Sequence, residues 1–437
     1  MAPLSLSSKQ TKLLNYLFFT IMLLWKKSSE LFLIRLNFPS YSGGTPMKMT
    51  GDQQLIKKIN KYIVLEQIRN HFPISRADIS AKTGLNKATV STMVSELIED
   101  HLVTETGLGE SSGGRKPMML LFNHQAGYAI GVDMGVNYIL AMLTDLSGAI
   151  VAEKRIELTD LSLASVMEKL KKCIHSLIKK TPDSPYGIIG IGVGVPGIVD
   201  DDGHVLSAPN LGWDELPLRD ILQEEFALEV AIDNEANVGA LGEKEFGAGQ
   251  SVSNLIYISV GIGIGAGIVI NDILFRGVSG FSGEVGHMTL AQDGPSCGCG
   301  NKGCWETFAS EKALLQRAKS HQQFNDPIHL KSLIGQAKKG NQAALDLFEN
   351  NGHWLGVGIA NLVNVFNPEL IIIGNRMSLA SEWLEAPLHH TLEARSLAFR
   401  RKKTAVVYAR LGMSSSALGS ASIAINRFFS TMKATWE

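Results

Sequence analysis

Cysteine is scarce, with four residues in a chain of 437. That excludes a disulfide-scaffolded secreted domain and fits a reducing compartment; Cys297 and Cys299, one residue apart, are badly placed to bridge each other. Net charge is almost absent too, at −1, which removes any global electrostatic pull toward nucleic acid, so a DNA contact has to come from a local surface. The chain also lacks an apolar run of the roughly 20 residues that a membrane-spanning helix needs. The nearest approach is LLNYLFFTIMLLW at 13–25, flanked by lysines, and no small-residue cleavage pattern follows it closely. Residues 1–48 are therefore expected to be an upstream extension ahead of a start at Met47 or Met49, with a cytoplasmic setting and no membrane partner.

What is present is globular in kind: 45% hydrophobic residues, 19% charged and 43 glycines, in a length that suits two or three domains of roughly 100–200 residues each. Residues 53–72 place Ile56, Ile59, Ile63, Ile68 and their neighbours on one helical face. Pro73 ends that helix, and SRAD at 75–78 supplies a cap with an acid three residues on, predicting a second helix to about Thr83. Gly84 makes the turn, Asn86 caps a third helix, and Val90, Val94, Leu97 and Ile98 point to a core.

Three short helices with a glycine turn before the third form a helix-turn-helix pattern, although a plain three-helix bundle would show the same periodicity. The outer face of the third helix is small or polar, so it is slim enough for a major groove. Lys87 can reach phosphate or guanine, Thr89, Ser91 and Thr92 can hydrogen-bond to phosphates or base edges, and Arg76 opens the second helix nearby. Residues 102–122 read as two strands around a Gly/Ser-rich loop tipped by Arg115 and Lys116, a winged arrangement whose arginine suits a narrow A·T minor groove. From 49 to 122 there are nine Lys/Arg against eight Asp/Glu. So weak a surplus implies two copies on a palindromic, A/T-flanked operator, hence a homodimer or a higher even oligomer.

After residue 122 the pattern changes to apolar strands, glycines and long helices. YAIGVDMGVNYILAMLTDLSGAI (128–150) is strand, turn, strand, turn, strand, and NLIYISVGIGIGAGIVINDILFRG (254–277) repeats that plan. The expected body is a duplicated, two-lobed α/β structure with ligand in the cleft between lobes. Within the second half, His287, Cys297, Cys299 and Cys304 supply one imidazole and three thiolates, a full tetrahedral set for zinc with no position left for water. Such a metal is structural. The alternatives are unpaired thiols or a redox switch, but Gly298, Gly300 and Gly303 allow the tight folding a chelate loop requires.

GEVGH (283–287) joined to CGCGNKGCWE (297–306) closely resembles the ROK family of repressors, open reading frames and sugar kinases, and the likeness runs through nearly everything after Gln53. The resemblance implies an α/β fold with an N-terminal winged helix-turn-helix (49–122) and a two-lobed actin/hexokinase-like body. Lobe 1 would span 123–242, with a helix at 412–430 returning to it, and lobe 2 would span 243–411, including the zinc loop at 287–306. It also implies sugar contacts from Asn234, Glu235, Glu284, His287 and Glu306. Read without the family, Glu284 and Glu306 are ordinary surface or ion-paired carboxylates, and Asn234-Glu235 is a helix cap.

The kinases of that family carry Asp-x-Gly-Gly-Thr in the first hairpin and Gly-Thr-Gly-x-Gly-Gly-Gly in the second. Here Val136 and Asn137 follow Asp133 and Gly135, Ile262 replaces the threonine, Ala266 replaces a glycine, and Glu235 stands at the aspartate base. Bulk and hydrocarbon at phosphate-cradling turns, and a longer acid where in-line transfer tolerates little displacement, predict a chain that is not an enzyme. The likeness of SRADISAKTGLNKATVS (75–91), SSGGRKP (111–117), GVSGFSGEVGHM (277–288) and ASEKALL (309–315) to sugar-responsive repressors implies D-xylose or a related aldose as the inducer that releases operator DNA. An active kinase with a fused DNA-binding head, or a repressor answering to another aldose such as glucose, are the alternatives.

Overall fold

The computed structural model describes residues 53–108, 117–321, 323–324, 327–397 and 404–431. The extension at 1–48 and the wing-tip residues Arg115 and Lys116 lie outside the described residues. No helix among the described residues is long and apolar enough to cross a membrane.

The head comprises α1 (Gln53–His71), β1 (Ile74–Ser75), α2 (Arg76–Thr83), α3 (Lys87–Glu99), β2 (Val103–Leu108) and β3 (Met118–Phe122), with its strands in the order β1-β3-β2. Local chemistry sets each boundary. Ser75 accepts from the Asp78 amide while Asp78 reaches back to the Ser75 amide, a complete capping box. Gly84 ends α2 in the left-handed region at φ 73°, and the Asn86 side chain accepts from Thr89 N at 2.8 Å to start α3. Ser75→Ala removes half of the box and is expected to cost about 0.5–2 kcal/mol, read as a lower Tm; an unchanged Tm would show that the cap contributes nothing. The core of α1 differs from the periodicity reading: Val64, Leu65 and Ile68 are buried, whereas Ile56 is 51% exposed. Its neighbour Lys57 pairs with Glu96 of α3 at 2.7 Å, so α1 meets α3 at this turn through charge and leaves Ile56 uncovered.

The body contains β4 (Tyr128–Met134), β5 (Tyr138–Asp145), β6 (Ile150–Glu157), α4 (Leu163–Ile178), β7 (Ile188–Val195), β8 (Ile198–Val199), β9 (Val205–Ala208), β10 (Trp213–Leu216), α5 (Leu218–Phe226), β11 (Val230–Asn234) and α6 (Glu235–Phe246). It continues through β12 (Leu255–Val260), β13 (Ile264–Ile270), β14 (Ile273–Leu274), α7 (Glu306–Ala309), α8 (Glu311–Lys319), α9 (Leu330–Lys338), α10 (Gln342–Phe366), β15 (Leu370–Gly374), α11 (Ser381–Arg395), β16 (Ala405–Tyr408) and α12 (Ser415–Ser430). Two five-stranded sheets result, β11-β7-β4-β5-β6 and β16-β15-β12-β13-β14. In each, a central strand pairs parallel with one neighbour and antiparallel with its own hairpin partner. The duplicated hairpins of the sequence are thus the centres of two equivalent sheets.

Helices α6 and α12 pack on each other, α6 against the second sheet and α12 against the first. They approach closely because glycine replaces side chains at the contacts. A Cβ on Gly131 would lie 1.9 Å from Ala417 O, one on Gly192 1.9 Å from Ser420 O, and one on Gly419 1.7 Å from Val238 O. Hydroxyls then tie α12 down: Ser420 Oγ donates to Val132 O at 3.0 Å and Ser415 Oγ to Glu243 Oε1 at 2.7 Å. The far end of α12 joins the head, where Ala421, Ala424, Ile425 and Phe429 share one apolar cluster with Val64, Ile68, Ile79, Val94 and Leu97.

Candidate functional site

In the head, α3 buries Val90, Met93, Val94 and Leu97 and leaves Lys87, Ala88, Ser91, Thr92 and Ser95 exposed. Thr89 is half-buried and caps back onto Asn86 through its amide. Thr92 Oγ1 and Ser95 Oγ donate to Ala88 O and Ser91 O one turn back, so their lone pairs face outward as acceptors. Arg76 sits differently from Lys87, because its guanidinium pairs with Glu105 of β2 at 2.8 Å. Its charge is offset until another anion competes for it.

The chelate candidate forms just after β14. The ligand atoms of His287, Cys297, Cys299 and Cys304 all lie within 4.8 Å of one another. Cys299 Sγ is 3.7 Å from Cys304 Sγ, and Cys297 Sγ is 3.6 Å from His287 Nδ1. Tetrahedral zinc with Zn–S of about 2.3 Å and Zn–N of about 2.0–2.1 Å separates its ligands by roughly 3.5–3.8 Å, so the donor set fits the ion in kind and these two pairs match its spacing. Gly300 and Gly303, at φ 90° and 65°, make the two turns that bring the thiols together. Next to Cys304, fully buried Trp305 donates from Nε1 to Trp354 O at 2.9 Å and anchors the loop in the second lobe.

The structure brings three of the five sugar-contact candidates around this loop. His287 Nε2 stands 3.8 Å from Glu284 Oε2, and His287 Nδ1 stands 3.8 Å from Glu306 Oε1. With Nδ1 turned to the thiols, Nε2 is the ring nitrogen left for a hydroxyl. Asn234 and Glu235 are held elsewhere on the border of β13, where Gly265 and Gly267 admit Ala236. The Asn234 carbonyl accepts from the Ala236 and Asn237 amides, and its Nδ2 donates to Gly197 O at 2.9 Å. One amide hydrogen therefore remains for ligand. The Glu235 carboxylate accepts from Ser259 Oγ at 2.5 Å and Asn375 Nδ2 at 3.0 Å. Burial raises its pKa, and those two hydrogen bonds lower it.

Several residues here carried no local signal in the sequence. Arg276 grips Asp233 with both terminal nitrogens, pinning the segment after β14 to the end of β11. Arg376 pairs with buried Glu311 through Nε (2.7 Å) and Nη2 (2.9 Å), while Nη1 reaches Asn137 Oδ1 at 3.5 Å. Since the Glu311 amide donates to Gly261 O, this pair links the glycine turn of one hairpin to the turn of the other. Asp133 accepts from Tyr138 Oη at 2.7 Å, and its pKa is pushed up to about 8, by burial first and then by the Glu235 charge. The partners of the two arginines are distant in sequence, so only the folded chain reveals them.

Comparison with known proteins agrees with this architecture. The ROK family model matches residues 129–427. A xylose repressor from Bacillus spizizenii is 43% identical over 382 residues, covering 87% of this chain and 99% of that protein. A crystal structure of a ROK family transcriptional regulator, described as a homologue of the E. coli MLC protein, superposes with a TM-score of 0.73 at 29% identity, covering 86% of this chain and 98% of that one. A ROK family glucokinase from Streptomyces griseus, in complex with glucose and AMPPNP, gives 0.63 at 32% identity, covering 68% of this chain and 99% of its own. With its winged helix-turn-helix joined to a two-lobed actin/hexokinase-like body, the chain belongs to the ROK family.

Proposed function

We propose that the chain is a sugar-responsive transcriptional repressor that holds operator DNA and releases it when D-xylose binds between the lobes. One observation carries this reading: the likeness to the xylose repressor spans 99% of that protein, head and body together. Lys87, Thr89, Ser91 and Thr92 of α3 would face the major groove, with Arg76 nearby and Arg115 and Lys116 of the wing in the minor groove. A homodimer or higher even oligomer on a palindromic, A/T-flanked operator suits a head of such low net charge. The proposed setting is the cytoplasm.

In the body, Asn234, Glu235, Glu284, His287 and Glu306 would hold sugar hydroxyls. Carboxylates and amides suit that task because vicinal hydroxyls both donate and accept. His287, Cys297, Cys299 and Cys304 would hold a structural zinc, which supplies rigidity and no reaction. Catalysis is not part of the proposal. Arg376 reaches Asn137 where a kinase cradles phosphate, Val136 and Ile262 add bulk there, and burial together with the Glu235 charge disfavours the ionised Asp133 that a phosphate-bound cation would need.

The test is to select duplexes that the protein binds from a random library, then titrate D-xylose, glucose and other aldoses against the complex. An allosteric coupling of typically 1–3 kcal/mol predicts a loss of operator affinity of roughly 5- to 150-fold with the true inducer. Unchanged binding across all sugars would sink the sensor reading. Steady ATP consumption with any aldose would restore the kinase.

A further inference from the structure

We infer that Arg69, on the head's first helix, is the joint through which α12 and α6 pass the state of the sugar pocket to the DNA-reading face; the inference rests on the sensor reading above. Both helices begin at the pocket. Helix α6 opens on Glu235, and Ser416 Oγ, in the first turn of α12, donates to the Glu235 carbonyl at 3.1 Å. From Ser416 the helix runs about 20 Å to Phe429 at 1.5 Å per residue.

Arg69 stands at their other end, in contact with α12 and facing α6. Its guanidinium carbon lies 3.9 Å from the Phe429 ring centroid and 5.9 Å from that of Phe122, the last residue of β3. Phe122 and Phe429 are themselves 6.0 Å apart. A guanidinium within about 6 Å of a ring face is attracted by the ring quadrupole, more strongly when partly desolvated. The same charge faces Glu245 near the end of α6, where burial raises the carboxyl pKa and Arg69 pulls it down. Glu66, one turn earlier on α1, accepts from Arg69 Nη1 at 2.8 Å and fixes the side chain from the head's side. Tyr186 also joins the head to α12, its Oη donating to Asp100 O at 2.9 Å and its ring standing edge-on to Phe428 at 5.0 Å, but it carries no charge and does not face Glu245 of α6.

The geometry has a mechanical reading. A shift of Glu235 on sugar binding displaces the starts of α6 and α12 together, close packing forbids either helix to absorb it, and the displacement appears where one side chain touches the end of α12 and its charge faces the end of α6. Arg69 is thus a positioning residue, and it touches neither DNA nor sugar in this scheme.

The experiment uses the full-length protein. Operator affinity is measured without and with saturating D-xylose, and xylose affinity is measured separately by calorimetry. For Arg69→Met, which keeps an apolar stem over the ring and removes the charge, xylose affinity should stay near wild type. The ratio of operator affinities should fall from the roughly 5- to 150-fold of a typical coupling to under about twofold. Arg69→Lys, which keeps a cation, should retain most of the ratio. A merely structural role would lower Tm and weaken operator binding equally with and without sugar, leaving the ratio intact; that result overturns the inference. Should Arg69→Met not fold, Ser416→Ala at the opposite end carries the same expectation and the same reversal. A ratio of one already in the wild type would instead overturn the sensor reading itself.

Discussion

Cys304→Ser is expected to yield protein without zinc and with a stability lower by on the order of 3 kcal/mol or more. Cys304 is fully buried, its sulfur 3.7 Å from Cys299 Sγ, and the next residue is the buried Trp305. A serine hydroxyl is a harder and shorter ligand than a thiolate, so three donors remain for an ion that needs four. The loop then loses the bond that fixes His287, and His287 stands between Glu284 and Glu306. Sugar affinity should fall together with metal content. Metal analysis, thermal denaturation and sugar titration of the same preparation decide the matter. One zinc per chain and an unchanged Tm in the variant would mean that the four residues are not a chelate.

Gly192→Ala is expected to be about as damaging, although it adds only a methyl group. The new Cβ would lie 1.9 Å from Ser420 O and 2.5 Å from the Ser420 carbonyl carbon. Both belong to backbone in the middle of α12, which Ser415, Ser416 and Ser420 already bond to its neighbours, so the helix has to move bodily. Overpacking costs typically 1–3 kcal/mol where side chains can yield, and about 3 kcal/mol or more is expected here. Gly335 in α9 is the control, since a Cβ there meets nothing within 4 Å; Gly335→Ala should raise stability by about 0.5–1 kcal/mol through helix propensity alone. Denaturant unfolding of both variants separates the cases, and equal effects would show that the α12 contact yields more readily than its geometry implies.

The parts of this molecule that could be read from sequence are those whose physics is local. Ser75 and Asp78 cap α2 from within one turn, Gly84 and Asn86 set the next boundary, and the three clustered thiols lie within eight positions of one another. The two-lobed body followed from a repeated hairpin pattern. Ile56 misled because helical periodicity states which residues share a face and not which of them a neighbouring element covers. The pairs Asp233–Arg276 and Glu311–Arg376 were invisible for a different reason: 43 and 65 residues separate the partners, and nothing near either arginine distinguishes it from a solvated one. Asn375 hides its part as well. It sits at φ 63° at the end of β15, and only that backbone turn aims its amide at Glu235 and Ser259. Helix α12 did leave a trace, in the small residues of SSALGSAS at 415–422, because a helix stripped of bulk is one that other backbone approaches closely.

That helix also orders events during synthesis. Strands β4 to β7 leave the ribosome long before Ser415–Ser430, yet the face of their sheet at Gly131 and Gly192 stays uncovered until those last turns emerge, and the head's apolar cluster lacks Phe429 until the same moment. Both sheets are contiguous in sequence, but α12 packs on the first, so the half translated earlier is the one completed last, against the usual N-terminal-first sequence of folding. A released chain that ends before residue 415 would therefore hold every strand of the second sheet and leave the α12-facing side of the first uncovered.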